Sequence, residues 1–161
     1  CHAGFSIAQL ADMGASLGAD VPVFIHGHAC WAEGVGEKIT PLALPQPWFL
    51  VLNPRVHVST AQIFSHSDLT RGSPLTTIAD FLEHGGRNDC EKLARTLFAP
   101  IDEALNWLAG YADAKMTGTG ACVYAAFDTQ HQAREVCAQV PGQFDAVVAR
   151  GLNQSPLTQI F

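Results

Sequence analysis

Residues 114–127, AKMTGTGACVYAAF, carry two short apolar runs on either side of Gly118-Thr119-Gly120. A tight glycine turn between such runs is a strand–turn–strand signal, so Ala114–Thr117 and Ala121–Phe127 are expected to form neighbouring strands. Trp48–Asn53 (WFLVLN) is a continuous apolar run closed by Asn53-Pro54, the pattern of a buried strand. Ser59 or Thr60 is placed to cap a short helix running through Phe64, and residues 65–76, with Gly72 and Pro74, form a surface loop. Ile78, Phe81, Leu82, Leu93, Leu97, Ile101, Leu105 and Leu108 then recur at helical spacing. Gly85-Gly86-Arg87-Asn88 divides them into two helices. Thr129–Gln139 predicts a helix and Phe144–Ala149 a last strand. From residue 48 the expected order is β-α-α-α-β-β-α-β, a split βαβ or ferredoxin-like α+β sandwich with inserted helices.

The first part of the chain reads differently. Ser6-Ile7-Ala8-Gln9 has capping-box form, and Ile7, Leu10, Ala11 and Leu17 follow on one helical face with a stop expected near Gly18. Val21–Ile25 and Ala29–Ala32 read as strands or a short buried turn. Pro41, Pro45 and Pro47 punctuate the chain. A domain boundary is therefore expected there, with residues 1–41 on one side and 42–161 on the other.

Composition removes several classes of function. Hydrophobic residues make up 48% of the 161 and charged residues 15%, which excludes general disorder. Nine Lys and Arg stand against 15 Asp and Glu, a net charge of −6, so no basic stripe offers itself to a nucleic acid. No apolar run approaches the roughly 20 residues of a membrane span, and no signal-peptide pattern opens the chain. The five cysteines at 1, 30, 90, 122 and 137 are odd in number, widely spaced and without a C-x-x-C pair. Reduced thiols in a cytoplasmic protein are expected. The chain opens on Cys1, not Met, which is expected of a processed protein or of the C-terminal part of a longer one.

Two segments bear on chemistry. The Lys115–Ala121 glycine turn lets backbone amides approach an anion, although a plain β-turn explains it equally well. Leu17-Gly18-Ala19-Asp20-Val21-Pro22 places one carboxylate at a break before an apolar run, where the simpler local reading is Asp20 as a helix N-cap with Pro22 in the first turn. His26 and His28 lack a third ligand in register, so no metal site is assigned. Asn88-Asp89 resembles a substrate-binding pair but fits a helix N-cap at least as well and is taken as the cap; Trp31, Trp48 and Trp107 are taken as core, and Cys122 as a small core hydrophobe.

Taken in order, LGADVPVFIHGHACWAEGVGE (17–37), LVLNPRVHVSTAQIF (50–64), NDCE (88–91), KMTGTGACVYAAF (115–127) and ARGLNQSP (149–156) resemble the C-terminal part of a kinase of the GHMP superfamily. The likeness is to the branch whose acceptor is 4-diphosphocytidyl-2-C-methyl-D-erythritol. It spans nearly the whole chain. Ala121 and Cys122 after Gly120, where other branches often carry more glycines, suit that branch. The resemblance implies ATP-dependent phosphorylation of a small-molecule alcohol with Mg²⁺, and neither nucleic acid nor membrane as partner. It implies Asp20 as the catalytic carboxylate and Phe64 as the ring that stacks on cytosine, with Thr60 at i−4 facing the same pocket. It also implies Gly118, Thr119 and Gly120 as the motif beside substrate and phosphate. The superfamily's ATP loop, P-x-x-x-G-L-G-G-G-S-S, is not among these residues, nor are the Lys expected near the acceptor hydroxyl and the aromatic and His partners of the cytidine. The chain by itself is therefore expected to be inactive as a kinase. The alternative is a non-enzymatic ferredoxin-like ligand-binding or regulatory module.

Overall fold

The computed structural model describes residues 4–34, 36 and 38–159. It divides into two compact units, Cys1–Gln46 with Gly151–Phe161, and Pro47–Arg150. The contacts thus place residues 42–46 and the returning tail with the first unit, whereas the sequence expectation cut the chain at 41/42.

In the first unit, helix α1 (Ile7–Ala15) starts on the expected capping box, with the Ser6 side chain accepting from the Gln9 N–H and the Gln9 side chain accepting from the Ser6 N–H. Helix α2 (Val21–His26) replaces the strand or turn expected from the apolar run and is the helix that the cap position of Asp20, with Pro22 in the first turn, implies. Pro22 sits in its first turn, where its missing N–H has no intrahelical partner to lose and its fixed φ already suits a helix. The helix stops at Gly27, which takes the left-handed conformation with φ 66°. α1 lies close on α2 because residue 14 has no side chain. A Cβ there would come within 2.6 Å of Ile25 Cδ1 and 2.8 Å of Val21 Cγ1. Strand β1 (Cys30–Glu33) pairs antiparallel with β2 (Lys38–Pro41), matching Cys30 to Pro41 and Glu33 to Lys38. β2 was not anticipated, because Pro41 read as punctuation; a proline is tolerated where a strand ends. The tail then sews onto this unit. The Asn153 side chain accepts from the Leu44 N–H at 2.9 Å and donates to the Leu44 carbonyl at 2.8 Å, and the Ser155 N–H donates to the Gly27 carbonyl at 2.8 Å.

The second unit follows the expected order with one helix more. It contains β3 (Trp48–Asn53), α3 (Thr60–Ser65), α4 (Ile78–His84), α5 (Glu91–Leu97), α6 (Ala99–Ala109), β4 (Ala114–Met116), β5 (Val123–Phe127), α7 (Gln130–Cys137) and β6 (Asp145–Arg150). The extra helix arises because the periodicity from Leu93 to Leu108 is interrupted at Phe98. That residue is extended (φ −131°, ψ 91°), and Pro100 behind it cannot supply the N–H that a continuous helix needs. The strands form one antiparallel sheet in the order β4-β5-β3-β6, the arrangement of a split βαβ sandwich.

Only one sheet face is deeply covered. Leu50, Leu52, Val123 and Ala125 lie fully buried with Ile63, Ile101, Leu105 and Leu108. Phe49 and Val51 alternate onto the other face, where Phe49 meets Tyr124 edge-on with ring centroids 5.8 Å apart. The continuous apolar run of β3 is thus buried at alternate residues, not throughout. The three tryptophans are half-buried, not core; Trp107 packs its ring 4.9 Å from that of Tyr111.

Candidate active site

The glycine turn lies between β4 and β5. The Gly120 N–H donates to the Thr117 carbonyl at 2.8 Å, and the Thr117 N–H donates to the Cys122 carbonyl at 2.9 Å. One of the motif's amides is therefore committed to closing the turn. Gly118 and Gly120 are required for different reasons. Gly118 has φ 48° and a Cβ there would meet nothing within 4 Å, so only its backbone conformation favours glycine. Gly120 has φ 100°, and a Cβ there would press on Ile101 Cδ1 at 3.1 Å and Met116 Sδ at 3.2 Å.

Two elements grip this turn. From α3, the Thr60 hydroxyl stands 3.1 Å from the Thr119 hydroxyl. Of the two cap candidates it is Ser59 that caps α3, accepting from the Gln62 N–H, which leaves the Thr60 side chain available to Thr119. Phe64 lies one turn further along the same helix with its side chain 56% exposed, which leaves its ring open to a partner.

From the other side comes the NDCE segment, whose Asn88-Asp89 the sequence assigns to a helix cap. Asn88 is not the cap of α5; that position belongs to Cys90. The Asn88 Oδ1 accepts from the Cys90 N–H at 3.0 Å. Its Nδ2 donates to the Gly118 carbonyl at 2.7 Å and to the Met116 carbonyl at 3.1 Å. The Met116 N–H in turn donates to Glu91 Oε2 at 3.0 Å. The NDCE segment was visible in the sequence, but its reach across 28–30 residues of chain was not. An open cleft of about 1250 Å³ borders the same turn, lined among others by Arg87, Asn88, Lys92, Lys115, Thr117 and Gly118. Its cations are largely matched by carboxylates: Arg87 with Asp89 at 3.0 Å, Arg95 with Asp102 at 2.6 Å and Lys115 with Asp113 at 3.2 Å.

Asp20 belongs to the first unit. It occupies the N-cap position of α2, but its backbone is helical (φ −85°, ψ −13°) and its side chain makes no capping hydrogen bond. The exposed carboxylate is thus at the position the cap reading chose, without performing the cap. His26 and His28 gather no third ligand: among the described residues no three His, Cys, Asp or Glu side chains converge. Cys30, Cys90, Cys122 and Cys137 are free thiols. Burial, with Asp89 beside it, holds the Cys90 thiol above its ordinary value. No helix among the described residues is long and apolar enough to cross a membrane.

Residues 69–146 match the family model for the C-terminal region of GHMP kinases. A 4-diphosphocytidyl-2-C-methyl-D-erythritol kinase of Tolumonas auensis is 50% identical over 151 residues, covering 94% of this chain and 53% of that protein. The chain thus spans about half the length of the curated relative it matches. The crystal structure of a 4-(cytidine 5'-diphospho)-2C-methyl-D-erythritol kinase superposes with a TM-score of 0.72 at 27% identity, over 89% of this chain and 57% of the other. With its split βαβ sheet, its glycine turn and these likenesses, the chain is similar to the C-terminal part of GHMP kinases, matching their family model over residues 69–146.

Proposed function

We propose that this chain supplies the C-terminal part of an ATP-dependent kinase. The reaction is phosphorylation of the 2-hydroxyl of 4-diphosphocytidyl-2-C-methyl-D-erythritol, a step of non-mevalonate isoprenoid biosynthesis. The observation that carries the reading is 50% identity to a kinase of that name along 94% of the chain. The hydroxyl pair that couples α3 to the glycine turn supports it, because it joins two of the segments expected to meet substrate. In this reading residues 1–41 close an N-terminal kinase domain and 42–161 carry the C-terminal domain, whose compact unit is Pro47–Arg150. Free thiols support a cytoplasmic location.

Phosphoryl transfer passes through a loose transition state, so the protein's work is positioning and charge stabilisation. Asp20, exposed and free of a capping bond, orients the acceptor hydroxyl and takes its proton. A carboxylate is basic enough, because that proton becomes acidic only as the new P–O bond forms. Phe64 offers a ring face to the cytosine, and Thr60 and Thr119 present hydroxyls beside it. Mg²⁺ would enter with the ATP phosphates and neutralise their charge; this chain's own contribution is the carboxylate, the ring, the hydroxyls and the turn.

The test is a chimera in which this chain replaces the aligned stretch of the Tolumonas auensis kinase. ATP-dependent phosphorylation of the diphosphocytidyl acceptor is expected from the chimera and none from the 161 residues alone. Asp20→Asn should lower kcat by roughly 10²–10⁴, the usual worth of a positioned general base. The melting temperature should hold, since Asp20 makes no cap bond. An inactive, folded chimera refutes the kinase reading; parent-like kcat in Asp20→Asn removes Asp20 from it.

A further inference from the structure

Gly118, unlike Gly120, is poorly restrained by packing. Gly118 is exposed, with no atom within 4 Å of where its Cβ would stand, and glycine moves freely between backbone regions. Its hold on one conformation comes from hydrogen bonds. Asn88 supplies two of them with a single amide nitrogen, to the Gly118 and Met116 carbonyls, while its oxygen is fastened to the Cys90 N–H. The half-buried Asn88 side chain is thus anchored at one end to the start of α5 and grips the turn at the other. Glu91, in the first turn of α5, takes the Met116 N–H. Both backbone groups of the last residue of edge strand β4 are therefore held by α5 and the residues before it.

Building on the kinase reading, we propose that Asn88 is a positioning residue for phosphoryl transfer. By fixing the Gly118 carbonyl it sets the direction of the Gly118–Thr119 peptide, and so the place where Thr119 meets Thr60 and the substrate. The chemistry is sensitive to such placement: a displacement of about 1 Å at a reacting group lowers rates on the order of a hundredfold. Asparagine suits the role because one side chain must donate and accept at once. Aspartate would set a carboxylate against two carbonyls, and serine would keep an acceptor for Cys90 but fall short of Gly118.

The experiment has two arms. In the 161-residue chain, amide hydrogen exchange is followed at Met116, Thr117 and Gly120, whose N–H groups are hydrogen-bonded, for the parent, Asn88→Asp, Asn88→Ser and Ala94→Gly. The last loosens a buried position of α5 without touching the turn. In the chimera, the same substitutions are assayed for kcat and for KM of both substrates. Both Asn88 variants should exchange at least about tenfold faster at the turn and lose about a hundredfold in kcat, with each KM within a few-fold of the parent. Ala94→Gly should lower the melting temperature as much or more and leave the turn's exchange and kcat at parent levels. Parent-like exchange in Asn88→Ser overturns the grip. Faster exchange with parent kcat overturns the positioning role alone. A folded parent chimera without turnover overturns the kinase reading and this role together.

Discussion

The Thr60 hydroxyl lies 3.1 Å from the Thr119 hydroxyl, so the first turn of α3 and the glycine turn share a side-chain hydrogen bond across 59 residues of sequence. Thr60→Val keeps the shape and removes the hydroxyl. The pair is exposed, so stability should fall by no more than about 1 kcal/mol, the net worth of one such bond. In the chimera, the acceptor KM should rise a few-fold with the KM for ATP unchanged. Steady-state kinetics with each substrate varied in turn checks this; an equal rise in both would mean a general loosening.

Phe64 is more than half exposed on the same helix, so its removal opens little of the core. Phe64→Ala should weaken cytidine-substrate binding by about 1–3 kcal/mol, the range for base–aromatic stacking. Titration calorimetry of the chimera with the diphosphocytidyl acceptor and with ATP separates the outcomes. Loss for the first alone supports stacking, and an equal loss for both would remove it.

In the first unit, Gly14→Ala sets two effects against each other. Alanine gains about 1 kcal/mol of helix propensity over glycine. Its Cβ, however, would meet Val21 Cγ1 at 2.8 Å and Ile25 Cδ1 at 2.6 Å. The end of Ile25 is able to swing aside, but Val21 is β-branched and stiff within α2. Overpacking of about 1–3 kcal/mol should therefore win. Denaturant unfolding of the 161-residue chain should show net destabilisation. Gly18→Ala, whose Cβ would rest 3.6 Å from Val21 Cγ2, should be neutral by the same measurement.

Two carboxylates make stability depend on pH. A side-chain hydrogen bond from Arg55, reinforced by its charge, holds Asp145 below the ordinary value of 3.8, and hydrogen bonds from Thr77 do the same for Asp80. A folded-state pKa below the unfolded one means stability that is present above the unfolded value and lost as pH falls through the folded one. Thermal unfolding should therefore show a declining melting temperature as pH drops below 3.8. Asp80→Asn and Asp145→Asn should each flatten that decline. A curve of unchanged steepness in both variants would assign the acid sensitivity to other groups.

Local chemistry made much of this chain legible. The Ser6 capping box, the helix from Thr129, the strand–turn–strand around Gly118-Thr119-Gly120 and, but for one added helix, the strand–helix order of the second unit follow from short-range rules, and the structure realises them. The likeness to GHMP kinases is carried by motif spelling in the same way. Short apolar runs were the weak point. Asp20 and Pro22 signalled a helix start while the apolar run read as a strand; Val21–His26 packs as a helix against α1, which offers Gly14 to it, and nothing within those residues announces that neighbour.

What only the tertiary structure decided is which distant polar groups meet. Asn88 read as a cap because a cap is the nearest use for an asparagine before a helix. In the fold it spans 30 residues to the Gly118 carbonyl. Asn153 holds both backbone groups of Leu44 across 109 residues, and Thr60 finds Thr119 only because Ser59 takes the cap. Periodicity reports which face of an element is buried, and spacing reports turns and caps, because both act over a few residues. A side-chain hydrogen bond between strand, helix and loop depends on how those elements are laid against one another. That is set by the packing of the core and not by any local pattern.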